Sequence, residues 1–198
     1  AGTGVLQNVD AGAVAADVVL AGLGTVEGQV VEAVGGRPLA DFEIATSEPR
    51  VCCYSTAPRV GNAVKFHDER GRFSLGHVPV GSAALVVKAA GYAPAVVTVD
   101  DVRSGEVRSG VTVRVGAGGE VRGRVTLAGR PLVDQSVQVQ SGGVMLDART
   151  NGLGEYVVAN VPEGECSINF RMAAPKVRYR SLSKRAVVET GRTTSVDF

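Results

Sequence analysis

The sequence predicts an all-β protein made of tandem antiparallel seven-stranded β-sandwiches of Greek-key type. Three observations carry this. The 198 residues include 26 Gly and no Trp, and aromatics make up 5%. The apolar mass is therefore Val and Ala, and Val suits a pleated surface because its branched Cβ packs well there. Second, the chain repeats itself, which fixes the unit of folding before any element is assigned. Third, each repeat offers about seven short apolar stretches separated by turn residues, the pattern of a sandwich.

The repeat is legible residue by residue. VEGQVVEAVGGRPLADFEI from Val26 matches VRGRVTLAGRPLVDQSVQV from Val121. Both hold Gly-x-Val, then Gly-Arg-Pro-Leu (Gly36–Leu39 and Gly129–Leu132), then Asp41 or Asp134. Further on, HDERGRFSLGHVPVG matches TNGLGEYVVANVPEG, pairing Gly71 with Gly154, Phe73 with Tyr156, Pro79 with Pro162 and Gly81 with Gly164. Residues 26–119 and 120–198 are thus two repeats. Residues 1–25 read as the terminal strands of a preceding repeat, or a linker. The opening residues lack a basic and apolar leader pattern, so the chain reads as a mature protein or a segment of a longer one.

In the first repeat the strands are expected near Thr25–Glu32, Phe42–Thr46, Ala63–His67, Arg72–Leu75, Ser82–Ala89, Ala95–Val99 and Val111–Val115. Gly35-Gly36-Arg37-Pro38 is a tight turn, with Gly supplying positive φ and Pro fixing its own. Asp68-Glu69-Arg70-Gly71 is a hairpin turn of similar logic. Pro79 and Pro162 belong at strand starts or connections, since Pro cannot donate to a ladder. The expected core is Val26, Val30, Leu39, Ile44, Phe73, Leu75, Leu85 and Val87. Its counterpart is Val121, Val125, Leu132, Val137, Tyr156, Val158, Ile168 and Phe170. Gly116-Ala117-Gly118-Gly119 is too short for free tumbling, so the repeats are expected to form a semi-rigid rod.

The ordered signature G-x-V, G-R-P-L-A, D-E-R-G-R-F-S-L, V-P-V-G and A-A-G-Y (Ala89–Tyr92) resembles the carboxypeptidase regulatory-like domain family. That family is a transthyretin-like (prealbumin-like) sandwich. The likeness covers nearly all of 26–115, and 120–173 well. The second repeat departs at Thr150-Asn151-Gly152-Leu153-Gly154, where the family has T-D-x-x-G, and at Ala173-Ala174-Pro175, where it has A-G-Y. The resemblance implies non-catalytic modules that act as spacers or binding units in secreted, periplasmic or surface proteins. It implies neighbouring repeats of the same polypeptide as partners, and no catalytic residue.

Charge narrows the partners. With 21 Lys+Arg against 20 Asp+Glu the net charge is +1, which gives no electrostatic capture of nucleic acid. No apolar run approaches the ~18 residues of a helical membrane span. Catalytic signatures such as G-x-S-x-G, H-E-x-x-H or a phosphate-cradling loop are missing, so no enzyme activity and no cofactor are expected. His67, His77, Cys52 and Cys53 do not have zinc-site spacing. Asp68, Glu69, Asp100 and Asp101 lack the order of a calcium loop. No metal is therefore expected.

Two segments stand out as interaction candidates. Pro38 and Phe73 lie ten positions further apart than Pro131 and Tyr156. The extra stretch, 47–63, holds Arg50, Cys52, Cys53, Tyr54 and Arg59, and long loops on rigid scaffolds often carry binding. The basic segment 176–185 places Lys176, Arg178 and Arg180 on one strand face, suited to an acidic polysaccharide or protein patch. Cys52 and Cys53 are adjacent, and neighbours on a strand point oppositely, so they are not expected to pair with each other, and a bridge from either to Cys166 needs the two repeats in contact; free thiols are expected, with a disulfide in an oxidising compartment as the alternative. Residues 12–20, GAVAADVVL, read as a strand in need of a partner, in a neighbouring sheet or in another chain.

The functional expectation is a structural spacer or interaction unit of a larger secreted or cell-surface protein. Alternatives are a carbohydrate- or peptide-binding module using 47–63 or 176–185, and an accessory domain beside a peptidase or transporter. A surface without Trp and with four Tyr is poor in stacking platforms for sugars.

Overall fold

The computed structural model describes residues 22–48, 59–60, 63–172 and 180–198. The GAVAADVVL segment lies outside them. The described residues are all-β, with five sheets arranged as two tandem sandwich-like units and one small hairpin.

The first unit has eight strands: β1 (Leu23–Glu32), β2 (Asp41–Glu48), β3 (Arg59–Val60), β4 (Val64–His67), β5 (Arg72–Pro79), β6 (Gly81–Lys88), β7 (Ala95–Val102) and β8 (Val107–Val115). One sheet runs β5-β1-β8 and the other β3-β2-β6-β7, with β4 also paired to β2. The second unit has nine: β9 (Gly119–Arg124), β10 (Thr126–Leu127), β11 (Arg130–Pro131), β12 (Ser136–Ser141), β13 (Val144–Arg149), β14 (Glu155–Val161), β15 (Gly164–Met172), β16 (Arg180–Val188) and β17 (Thr193–Ser195). Its sheets are β14-β9-β17 and β13-β12-β15-β16, beside the β10-β11 hairpin. The order β4-β2-β6-β7 thus recurs as β13-β12-β15-β16, and β5-β1-β8 as β14-β9-β17.

The sheets are not purely antiparallel. β1 pairs with β8 in parallel, and β9 with β17 in parallel. The chain visits the opposite sheet before returning to lie beside its first strand. No tight turn joins the two partners, so nothing forces them to run oppositely.

Burial follows from strand alternation. The first core gathers Val26, Val30, Leu39, Ile44, Phe73, Leu75, Leu85 and Val87, with Phe42, Val78 and Val113 added. The second gathers Val121, Val125, Val137, Tyr156, Val158, Ile168 and Phe170, with Cys166 and Val188 added. Leu132 only packs against the second core from its margin. Three phenylalanines cluster in the first unit. Phe42 stacks on Phe66 at 5.5 Å, and Phe73 meets both edge-on at 6.4 and 6.0 Å, an arrangement that the ring quadrupole favours.

The paired turns share one construction. Asp68 Oδ1 accepts from the amides of Arg70 (2.8 Å) and Arg72 (3.2 Å). Asn151 Oδ1 does the same for Leu153 and Glu155, both at 2.9 Å. Asn therefore replaces Asp without loss, because the turn needs only a short side-chain acceptor. The position just before differs. Thr150 is buried and donates to Leu132 O at 2.6 Å, whereas His67 is exposed. Pro79 ends β5, where it pairs with Leu23, and Pro162 lies in the connection after β14.

Tyr156 replaces Phe73 with a polar tip. Its hydroxyl donates to Val196 O at 2.6 Å, tying the residue that follows β17 to β14, on the far side of β9, from within the second core. Burial pushes the phenol pKa up to about 12, with Asp197 and the Cys166 thiol adding to the effect. In the unfolded chain the phenol ionises near 10, while the folded one stays protonated. Its contribution is intact below about 10 and is lost as pH rises toward about 12. Tyr156→Phe is therefore expected to remove a phenolate component near pH 12 from an alkaline absorbance titration. It should also cost about 1–3 kcal/mol at neutral pH, because the Val196 carbonyl loses its phenol donor.

Candidate functional site

The best-defined feature outside the two cores is the junction between the units. β8 ends at Val115 and β9 begins at Gly119, leaving Gly116, Ala117 and Gly118 as the connection. These residues are fastened from both sides. The Ala93 amide donates to Gly116 O at 2.7 Å, and the Gly191 amide donates to Gly118 O at 2.8 Å. The first bond comes from the loop between β6 and β7, the second from the turn between β16 and β17. Gly118 has φ +70°. A Cβ there would lie 2.7 Å from Val161 O and 2.9 Å from the Ala93 Cβ. Only glycine meets both demands, the left-handed backbone and the close approach.

A groove of about 430 Å³ runs along this junction, walled by Glu32, Tyr92, Pro94, Arg114, Pro162 and Thr190. On its first-unit side Glu32 accepts from the Tyr92 hydroxyl, and from Arg37 Nη2 at 2.6 Å. The Arg37 bond, then that of Tyr92, holds the Glu32 carboxyl below its ordinary range. On the other side Thr190 Oγ1 donates to Glu163 at 2.8 Å. Tyr92, the last residue of the A-A-G-Y motif, therefore packs on the first core and also braces the junction wall.

A second groove, about 600 Å³, opens where β2 begins and β4 and β6 end. Asp41, Glu43, Lys65, Phe66, His67 and Lys88 line it. Cross-strand pairing sets Glu43 beside both Lys65 and Lys88, so opposite charges alternate across three strands. His67 Nδ1 lies 2.7 Å from Asp41 Oδ1, and that contact raises the imidazole pKa. Both side chains are well exposed, so solvent screens the pair.

The sequence candidates fare unevenly. Arg50, Cys52, Cys53 and Tyr54 lie outside the described residues, as do Lys176 and Arg178. Arg59 begins β3 and pairs with Glu48, and Arg180 begins β16 opposite Met172. From the rest of the basic segment, Lys184 donates to Asp197 O at 2.6 Å, with its ammonium 5.4 Å from the Phe198 ring centre. That cation is engaged with its own unit. Cys166 is a free thiol in the second core, and burial raises its pKa. Among the described residues no group of three or more His, Cys, Asp or Glu is placed to hold a metal ion. No helix among them is long and apolar enough to cross a membrane.

No family model matches the chain, and no curated protein matches it. Solved structures that superpose on it include the Bacillus anthracis TIE protein, at 15% identity and TM-score 0.37 over 89% of this chain. The chain spans 34% of that protein's length. A minor pilin of the gram-positive pathogen Streptococcus agalactiae superposes at 9% identity and TM-score 0.40, over 88% of this chain and 94% of its own. The shaft pilin SpaA of Lactobacillus rhamnosus GG gives 9% identity and TM-score 0.32, over 89% and 96% of the two chains.

Proposed function

We propose that this chain is a non-catalytic tandem β-sandwich module, a stiff spacer and interaction unit of a larger secreted or cell-surface protein. The observation that carries the reading is the clamped junction. A flexible tether needs free backbone, yet both glycine carbonyls of this three-residue connection are bonded, one to each unit. Only Ala117 is left between the two anchored glycines, which restricts the swing of one unit against the other and suits a protein that projects something at a distance.

On this reading the units divide at 26–119 and 120–198, with 1–25 belonging to what precedes. The seven strands that recur in both units, in one order, support the seven-stranded ground plan. The Gly-x-Val, Gly-Arg-Pro-Leu and Val-Pro-x-Gly elements support the carboxypeptidase regulatory-like, transthyretin-like assignment. Partners are neighbouring units of the same polypeptide and other proteins, through exposed loops.

Small-angle scattering of the chain tests the spacer. An elongated particle with one fixed distance between two lobes is expected. Two independently tumbling bodies, or a single compact globule, would overturn it.

A further inference from the structure

The turn between β13 and β14 differs from its counterpart between β4 and β5 at three places, and the three differences belong to one piece of chemistry. Asp68, Glu69 and Arg72 of the first turn stand where the second has Asn151, Gly152 and Glu155. Arg72 Nη2 lies 3.2 Å from Asp68 Oδ2, so the first turn holds a carboxylate closed by a guanidinium. The second holds an amide, whose Nδ2 donates to Glu155 Oε2 at 3.3 Å. The chain has five asparagines, and Asn151 alone is followed by glycine.

Asn151 Oδ1 accepts from the Leu153 and Glu155 amides, both at 2.9 Å. The first of these bonds closes a loop that contains the Gly152 nitrogen, and so folds the side-chain amide over that peptide link. Two N–H donors on one carbonyl oxygen also stabilise the oxyanion that forms when a nucleophile adds to the carbon. The Gly152 nitrogen is placed to be that nucleophile. Its N–H donates to no acceptor among the described residues, and Gly152 is exposed. Nothing lies within 4 Å of where its Cβ would be. The first turn can do none of this, because a carboxylate resists addition and Glu69 carries a side chain beside the nitrogen.

We propose that Asn151 is a self-modification site, at which the folded turn promotes hydrolysis of the side-chain amide. The Gly152 nitrogen bonds to Asn151 Cγ and gives its proton to water. The Cγ–Nδ2 bond breaks, Nδ2 takes up a proton and leaves as ammonia, and a cyclic imide remains. Water then opens the imide. Cleavage of the new N–Cγ bond leaves aspartate at position 151. Cleavage of the original peptide bond leaves isoaspartate, which lengthens the main chain by one methylene. The aspartate product keeps the turn, since Asp68 accepts the equivalent two amides at 2.8 and 3.2 Å. Its second oxygen faces Glu155 instead of an arginine, and the formal net charge of the chain falls from +1 to 0.

The test incubates the full chain in neutral buffer and follows each asparagine by peptide mapping that separates asparagine, aspartate and isoaspartate. Conversion at Asn151 is expected to outrun that at the other four by roughly tenfold or more, because only there is the nucleophile both open and held against its carbonyl. It should also be faster in the folded chain than in the same chain unfolded by guanidinium chloride. Gly152→Ala should slow it by roughly tenfold with the melting temperature unchanged, since the added methyl obstructs attack and touches nothing else. Conversion in the folded chain no faster than in the unfolded one would show that the turn does not promote the reaction, and overturns the proposal. So does a Gly152→Ala protein that converts like the parent.

Discussion

Gly123→Ala is expected to unfold the edge of the second unit at temperatures where the first unit is intact. A Cβ at this position would sit 1.8 Å from Val196 O, 2.6 Å from Val196 C and 3.0 Å from Tyr156 Cε1. The backbone there is ordinary, so the penalty is steric alone. Neither neighbour can yield cheaply. Val196 is held by its amide bond to Arg122 O at 2.8 Å, and its carbonyl accepts the Tyr156 hydroxyl at 2.6 Å. The methyl must push β17 off β9, and β17 has only three residues with which to resist. Overpacking commonly costs about 1–3 kcal/mol, and a clash with backbone on one side and a buried, hydrogen-bonded ring on the other belongs at or beyond the upper end. Gly28→Ala is the matching lesion in the first unit, with Val111 O at 2.0 Å and the Phe73 ring at 2.8 Å. Calorimetry should show each variant lowering its own transition. Gly152→Ala is the control, since nothing lies within 4 Å of its added Cβ, and a change within about 0.5 kcal/mol is expected. A Gly123→Ala protein that melts like the parent would show that the β9–β17 contact is not tight.

The two glycines also show what the sequence could reveal. Gly28 and Gly123 are the Gly of the repeated Gly-x-Val, and repetition alone marked them as structural. It could not say that they admit a parallel strand, because β8 and β17 are far from them along the chain. Strand ends were misjudged for a local reason. The sequence reading places a strand near Arg72–Leu75. In the structure β5 continues to Pro79, and His77 takes φ 61° within a shifted register. Asn160 takes φ 53° at the equivalent place in β14, again beside a register shift. Asn and His tolerate the left-handed region better than most residues, so the repeated His/Asn position was the signal of a bulge. Burying Val78 and Val161 is what the irregularity achieves. Tyr92 was legible as a motif residue but not as a junction brace, because its partner Glu32 lies sixty positions away. The row of Ala45, Val86 and Val96 that pairing aligns across β2, β6 and β7 was hidden for the same reason. Ala45, Val86 and Val96 become a surface only when three strands are laid side by side.

Gly118→Val is expected to loosen the connection while leaving both units folded. The residue contributes to neither core, so neither core should melt early. Its own constraints are severe. At φ +70° an L-residue costs about 1–2 kcal/mol relative to glycine, and a β-branched one is a genuine outlier there. The added Cβ would also meet Val161 O at 2.7 Å and the Asn160 carbonyl carbon at 3.0 Å, in the second unit, and Ala93 at 2.9 Å in the first. The backbone can escape only by leaving the left-handed conformation. That breaks the Gly191-to-Gly118 bond and draws Gly116 away from Ala93. With both fasteners gone, the three-residue connection becomes an ordinary short linker whose orientation is set by solvent and chance. Scattering should then show a broadened distribution of distances between lobes, with melting temperatures close to the parent. Ala117→Val, at an exposed position one residue earlier, should change neither. Unaltered scattering from Gly118→Val would mean that the units are aligned by something other than this clamp, and the spacer reading would lose its main support.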